Sequence, residues 1–243
     1  MPAETLRPLS LGELLDVSFV QYRRLFATLM GVTLVTSGPS VLIRLYLNQS
    51  GGVLVHPVLW LFAAFLSLFL SVIGVGATTH IVSDSYLGEE LSVGAAFARV
   101  MPMIGPLTIL SVLSSVAIGL GMIFFLVPGI IIGCGLAVAT TALVLERLDA
   151  VAAMKRSWAL TDGFRWKIFG ALVVGFVLLL IPGMAFAALT FIPGIGILLE
   201  VVTALVSLVV TPFLYVLFTI LYYDLRVRKE GFDLEMLTKH VRG

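Results

Sequence analysis

Long apolar runs broken by short polar segments dominate the chain. Six runs stand out, at roughly 25–47, 57–80, 103–127, 129–145, 168–192 and 197–223. A helix crossing the hydrocarbon core of a bilayer needs about 20 apolar residues, within a range of about 17–25. Each run therefore predicts a membrane-spanning helix, with the fourth at the short end. Runs three and four are joined by Val-Pro-Gly at 127–129, and runs five and six by Pro-Gly-Ile-Gly at 193–196. These joints predict two tight helical hairpins. The predicted fold is an all-α integral membrane protein with six transmembrane helices, forming a single membrane domain over 1–243.

The polar segments carry a second pattern. "LSLGELLDVSF" from Leu9, "LSVGAAFARVM" from Leu91 and "LDAVAAMKRSW" from Leu148 each pair a leucine with a Ser or Asp, ahead of about ten residues of mixed polarity. Ser10, Ser92 and Asp149 are expected N-caps, because a side-chain oxygen there accepts from a backbone N–H that has no intrahelical partner. Ser10 with Glu13 also fits a capping box. The expectation is three repeats of interfacial helix plus helical hairpin, with units at roughly 10–91, 92–148 and 149–226 and a cytoplasmic tail at 227–243. Asp233, in "FDLEML" (232–237), would cap a short fourth element.

Charge adds an orientation. Of the 15 Lys and Arg residues, 14 fall before run one, between runs two and three, between runs four and five, or after run six. Cations stay on the cytoplasmic side, so both termini are expected inside a bacterial inner membrane. The chain is 60% hydrophobic and 12% charged, with a mean hydropathy of +1.12. Soluble domains are nearer 45–50% apolar and about 25% charged, so lipid must solvate much of this surface. Residues 1–24 carry Glu4, Glu13 and Asp16, and no cleavable signal peptide is expected. The single cysteine, Cys134, allows no intramolecular disulfide.

The stretch "RSWALTDGFRWKIFG" (156–170) concentrates the candidate surface chemistry. Lys155, Arg156, Arg165 and Lys167 suit anionic headgroups, and Trp158 and Trp166 suit the headgroup level where their rings are half wet. These six residues are the candidate lipid or partner interface, with Gly163 allowing a bend into the bilayer. Arg44 is the remaining cation, about 28 Å along run one at about 1.5 Å per residue. Glu200 should lie at a similar depth, so Arg44 and Glu200 are a candidate intramembrane ion pair tying run one to run six. Pro39, Pro182 and Pro212 lie inside runs one, five and six and are candidate kinks.

No catalytic, cofactor or metal site is expected. The glycines are scattered through the spans rather than gathered in a phosphate loop. His80 and Asp84 share a helical face but provide only two ligands, too few for a metal centre. The basic residues lack the clustering of a nucleic-acid face.

"RPLSLGELLDVSFVQYRRLF" (7–26), "MKRSWALTDGFRWKIFG" (154–170) and "LYYDLRVRKEGFDLEML" (221–237) resemble the bacterial membrane domain family named after glycerophosphoryl diester phosphodiesterase. The resemblance implies a six-span membrane protein. It implies no hydrolysis, because in fused members that chemistry belongs to a separate soluble barrel, and the longest polar segment here, 81–102, is too short to hold one. The expected role is non-enzymatic: organising membrane lipids, or a protein partner or second copy, through basic interfacial helices. The alternative is a small permease with a pathway between kinked helices five, six and one.

Overall fold

The computed structural model describes residues 7–50, 52–189 and 196–231, and among these it is all-helical. Ten α-helices occur in order: α1 Leu11–Gln49, α2 Gly52–Val55, α3 Pro57–Tyr86, α4 Val93–Val100, α5 Ile104–Phe124, α6 Leu126–Leu136, α7 Ala139–Glu146, α8 Ala150–Thr161, α9 Arg165–Leu189 and α10 Gly196–Glu230. Five helical stretches are long and apolar enough to cross a membrane, or six if the bent pair α8 and α9 counts as one span. The turn at 193–195 and the short element at 232–237 lie outside the described residues.

All three caps form. Ser10 Oγ accepts from Glu13 N–H at 3.3 Å while Glu13 returns a bond to Ser10 N–H at 2.8 Å, closing the capping box. Ser92 Oγ accepts from Ala95 N–H at 3.3 Å, and Asp149 from Ala152 N–H at 2.8 Å. The helices behind the three caps differ, however, and the fold does not display three equal units. α1 continues unbroken for 39 residues, about 58 Å at about 1.5 Å per residue, so no separate interfacial helix precedes the first span. Between α4 and α5 a 3-10 turn, Met101–Met103, redirects the chain at Pro102. Between α8 and α9 the axis turns by 108°. Gly163 takes φ +81 there, a conformation that costs a residue bearing a Cβ about 1–2 kcal/mol.

The hairpin of α5 and α6 turns earlier than the Val-Pro-Gly signal predicts. The break is Phe125, extended at φ −160 and ψ 142. Pro128 lies in the first turn of α6, where a missing N–H costs nothing because that donor has no helical acceptor. The two helices cross at Gly121 and Gly129, where a Cβ on Gly121 would stand 2.8 Å from Gly129 Cα. The fourth apolar run is also divided, into α6 and α7, by the turn at 137–138. Pro39 and Pro212 each lie inside one continuous helix, and α9 runs through position 182, so none of the three candidate kinks interrupts its helix.

Packing is polarised towards the end that carries the cations. α3 has no buried residue from 57 to 71, whereas from Val72 to Tyr86 nearly every position is buried. α10 is continuously buried from Thr219 to Leu225. α1, α3 and α10 form the central trio, laced by Gln21 Nε2 donating to Ser85 Oγ (2.7 Å), Ser83 hydrogen-bonded to the Tyr223 hydroxyl (2.6 Å), and Tyr22 OH donating to Val209 O (2.8 Å). At the opposite end large apolar side chains such as Leu54, Val58, Phe62, Phe65 and Ile123 face outwards, the surface expected where lipid is the solvent.

α8 is locked against α6 at Gly135. Ser157 Oγ and Thr161 Oγ1 donate to Gly135 O at 2.7 and 3.3 Å, and the Trp158 ring lies over the glycine. A Cβ at Gly135 would stand 2.2 Å from that ring. Gly135→Ala is therefore expected to lower stability by about 1–3 kcal/mol, the usual cost of overpacking. Thermal unfolding in detergent measures it, and the tryptophan emission should shift to longer wavelength as Trp158 is displaced. An unchanged melting point and spectrum would show that this contact is not tight.

Candidate functional site

The stretch singled out for headgroup contact sits at the cationic end, but most of its charges are engaged inside the protein. Lys167, at the start of α9, places Nζ 2.5 Å from Asp224 Oδ2 and donates to Leu9 O at 2.6 Å. The Asp224 side chain has no solvent exposure. It also accepts from Arg228 Nε at 3.0 Å and from Leu9 N–H at 2.6 Å. One carboxylate thus holds the entry to α1, the start of α9 and the end of α10. A buried charge is tolerated only when paired and hydrogen-bonded, and every oxygen of Asp224 is.

A second network lies beside it. Arg156 on α8 donates through Nε to both Glu146 oxygens, at 2.8 and 2.9 Å, and pairs with Glu230 at the end of α10. Tyr222 OH donates to Glu146 Oε1 at 2.6 Å, and Arg226 Nε to Glu230 Oε2 at 2.9 Å. The bond from Arg156, reinforced by that from Arg226, holds the Glu230 carboxyl below the usual range. Arg165 sits 4.5 Å above the Trp158 ring in a cation–π contact. Trp158 itself is 40% exposed because its other side is packed on Gly135. Of the six candidate interface residues, Lys155, Trp158 and Trp166 are exposed, Trp166 at 86%.

Lys155 belongs to a different set. Arg23, Arg24, Arg147, Lys155 and Lys229 are exposed and form no ion pair with any described residue. Arg156, Lys167, Arg226 and Arg228 are consumed by Asp224, Glu146 and Glu230, Arg7 and Arg99 pair with Glu13 and Asp84, and those five exposed cations are left without an acid, Lys229 lying 5.9 Å from the Phe164 ring. The three acids were not among the residues selected from the sequence. One signal was available: Asp224 and Arg228 are four apart, the spacing that places an acid and a cation on one helical face.

At the opposite end Arg44 and Glu200 do not pair. Glu200 Oε1 accepts from Asn48 Nδ2 at 2.6 Å. Asn48 is one turn beyond Arg44 on the same face of α1, about 6 Å further along the axis, so it meets the start of α10 where Arg44 falls short. The tie between α1 and α10 exists, but a neutral amide makes it. A double-mutant cycle with Asn48→Ala and Glu200→Ala should give non-additive losses of thermal stability in detergent. Arg44→Gln with Glu200→Gln should be additive.

Arg44 instead borders a half-open cavity of about 260 Å³ between α1 and α3. Below it, Thr36, Ser37 and Ser71 are shared with a second cavity of only about 10 Å³, where α10 contributes Thr211 and Tyr215. His80 Nε2 is buried without a hydrogen-bond partner, while Asp84 accepts from Arg99 NH1 at 2.7 Å. Among the described residues no group of three or more His, Cys, Asp or Glu is placed to hold a metal ion.

Known proteins are similar to part of this chain. Over 95 residues it is 32% identical to proteins named UPF0259 membrane protein from Yersinia pestis (strain Pestoides F) and Yersinia pseudotuberculosis serotype O:3 (strain YPIII). The match covers 39% of this chain and 37% of theirs, so the chain spans little more than a third of the length of these relatives. No family model matches the chain, and no solved structure matches it. These findings overturn the resemblance to the glycerophosphoryl diester phosphodiesterase membrane domain family: the relatives carry another name. Several residues of the quoted motifs, among them Arg156, Ser157, Trp158, Tyr222, Asp224 and Arg228, bind helices to one another at the cationic end. They report how the bundle is closed.

Replacing Asp224 tests the closure. Asp224→Asn leaves Lys167 and Arg228 without their counter-charge and should destabilise the protein by about 3–5 kcal/mol, the range for breaking a buried pair. Arg7→Gln, which removes only the exposed pair with Glu13, should barely change the melting point. Equal shifts in the two variants would remove Asp224 from its central place.

Proposed function

We propose that this is a non-enzymatic bacterial inner-membrane protein, oriented with both termini in the cytoplasm, that holds anionic lipid at its cationic end. The observation that carries the reading is the division of the cations there. Arg23, Arg24, Arg147, Lys155 and Lys229 stand exposed and without ion pairs among the described residues, and the Trp166 ring at the start of α9 is exposed too. Each such cation near an anionic membrane surface contributes about 1 kcal/mol of attraction. The 108° turn between α8 and α9 supports the same reading, since it lets α8 lie along the interface while α9 enters the bilayer. The relatives' name, which states a membrane protein and no activity, is consistent with it.

The hydroxyl-lined cavity between α1 and α3 favours a second reading, a small permease. Its narrowing to about 10 Å³ beyond Thr36 and Ser71 argues for occupancy rather than passage in this conformation.

The experiment separates charge from packing. Glutamine at Arg23, Arg24, Arg147, Lys155 and Lys229 together should reduce the anionic lipid that copurifies with the protein, read by mass spectrometry, and leave the melting temperature nearly unchanged. Arg156→Gln should do the reverse. If the fivefold variant keeps its anionic lipid, the lipid-holding reading fails. A cysteine at Ala152 that reacts with an impermeant reagent in intact cells would overturn the orientation.

A further inference from the structure

The cavity between α1 and α3 is built from two helical faces. α1 presents Thr36, Ser37, Ser40, Val41, Arg44 and Leu47. α3 presents Trp60, Ala63, Ala64, Ser67 and Ser71. On α1 the polar positions 37, 40 and 44 recur at spacings of three and four, so they line one face. On α3 the small residues Ala63, Ala64 and Ser67 leave the space that the cavity occupies. Its volume of about 260 Å³ is far above the ~10–15 Å³ that a single water requires. It falls just below the ~300 Å³ at which pockets for drug-sized ligands begin, a size suited to a headgroup rather than a whole lipid.

The hydrogen-bonding capacity of the lining is unspent on one side. Thr36 Oγ1 donates to Val32 O at 2.9 Å and Ser71 Oγ to Leu68 O at 2.8 Å, so these hydroxyls have given their protons to their own helices. Ser37, Ser40 and Ser67 have no hydrogen-bond partner among the described residues, and Ser40 Oγ is buried. Arg44 forms no ion pair among them, because Asn48 has taken Glu200. No acid lines the cavity. Three hydroxyls and one exposed guanidinium thus line one cavity with no acid in its wall, and a planar fork of N–H groups matches phosphate and carboxylate oxygens.

The surroundings identify the source of that anion. The half of α3 that lines the cavity, residues 57–71, has no buried position, and its flanks Leu61, Phe62, Phe65 and Phe69 face outwards. A ligand reaching this groove in a membrane arrives from the lipid. Trp60, Val41 and Leu47 supply apolar walls for the chain attached to its headgroup. The floor is closed: a Cβ on Gly74 would stand 2.7 Å from Thr36 Oγ1, and the space beyond is the 10 Å³ cavity.

We propose that this cavity is a binding site for the headgroup of an anionic phospholipid in the leaflet opposite the cationic end, with Arg44 as its charge partner and Ser37, Ser40 and Ser67 as donors. This site is independent of the lipid contact proposed for the cationic end. Its test must read this cavity alone, and Trp60 makes that feasible. The protein in detergent is titrated with brominated phosphatidylglycerol and, separately, brominated phosphatidylcholine. The difference in quenching between the chain and its Trp60→Phe variant isolates the signal from the cavity. Phosphatidylglycerol should quench at concentrations at least about tenfold lower than phosphatidylcholine. Arg44→Gln should abolish that preference, as expected for loss of a charge-assisted hydrogen bond. Arg44→Lys should keep part of it. Should Arg44→Gln fail to fold, the double variant Ser40→Ala with Ser67→Ala should weaken the phosphatidylglycerol effect severalfold. Equal quenching by the two lipids, or a preference that survives both Arg44→Gln and the serine variant, would overturn the proposal. Protection of Trp60 by glycerol phosphate in solution, with no effect of either lipid, would overturn the lipid as occupant.

Discussion

A carboxylate with no exposure sits where three parts of the chain meet, and the rest of the bundle depends on its being satisfied. Asp224 is reached by Lys167 from α9, by Arg228 one turn along its own helix, and by the backbone N–H of Leu9. Lys167 and Arg228 also turn to the carbonyl of Leu9. The segment before α1 is therefore clamped by both its donor and its acceptor. Taking a charge out of water is expensive, and only good geometry with several hydrogen bonds returns the cost. Such a site admits few alternatives, which is why it specifies how α1, α9 and α10 meet.

The clasp accounts for the polarity of the packing. Core residues gather near it, from Val72 to Tyr86 on α3 and from Thr219 to Leu225 on α10, and the second network of Glu146, Arg156 and Glu230 lies on its flank. At the other end few residues are buried, and apolar side chains face outwards. In water that end would be a liability. In lipid, apolar surface carries no penalty, so helices can separate and leave space between them. The cavity bordered by Arg44 lies in that looser region. The two ends thus treat arginine differently: Arg156 is consumed by two carboxylates, and Arg44 is left with its charge unanswered among the described residues.

Local physics was legible from the residues themselves. Ser10, Ser92 and Asp149 cap because a side-chain oxygen ahead of a helix has only one nearby use, and each does so. Gly163 turns the chain because only glycine takes φ +81 without strain. Run length and apolarity located the helices that can cross a membrane. The same local reasoning placed one turn late, at Val-Pro-Gly, because a proline in a first helical turn and a proline in a loop look alike in one dimension.

Pairing between distant positions was not legible. Leu9 and Asp224 are 215 positions apart, and no spacing rule connects them. Arg156 and Lys155 are adjacent, equally basic, and read alike as headgroup contacts. The fold points one at Glu146 and Glu230 and leaves the other exposed. Arg44 and Glu200 were matched by depth alone, and a single helical turn gave Glu200 to Asn48. The amino-acid sequence by itself determined which segments are apolar enough to cross a membrane, where the capped helices start, and at which end the cations lie, because those properties are set within a few residues or by transfer into lipid. Which charges are spent on holding the bundle, and which remain for a ligand, was decided only by the tertiary structure, since an ion pair forms or fails over a few ångströms set by the packing of whole helices.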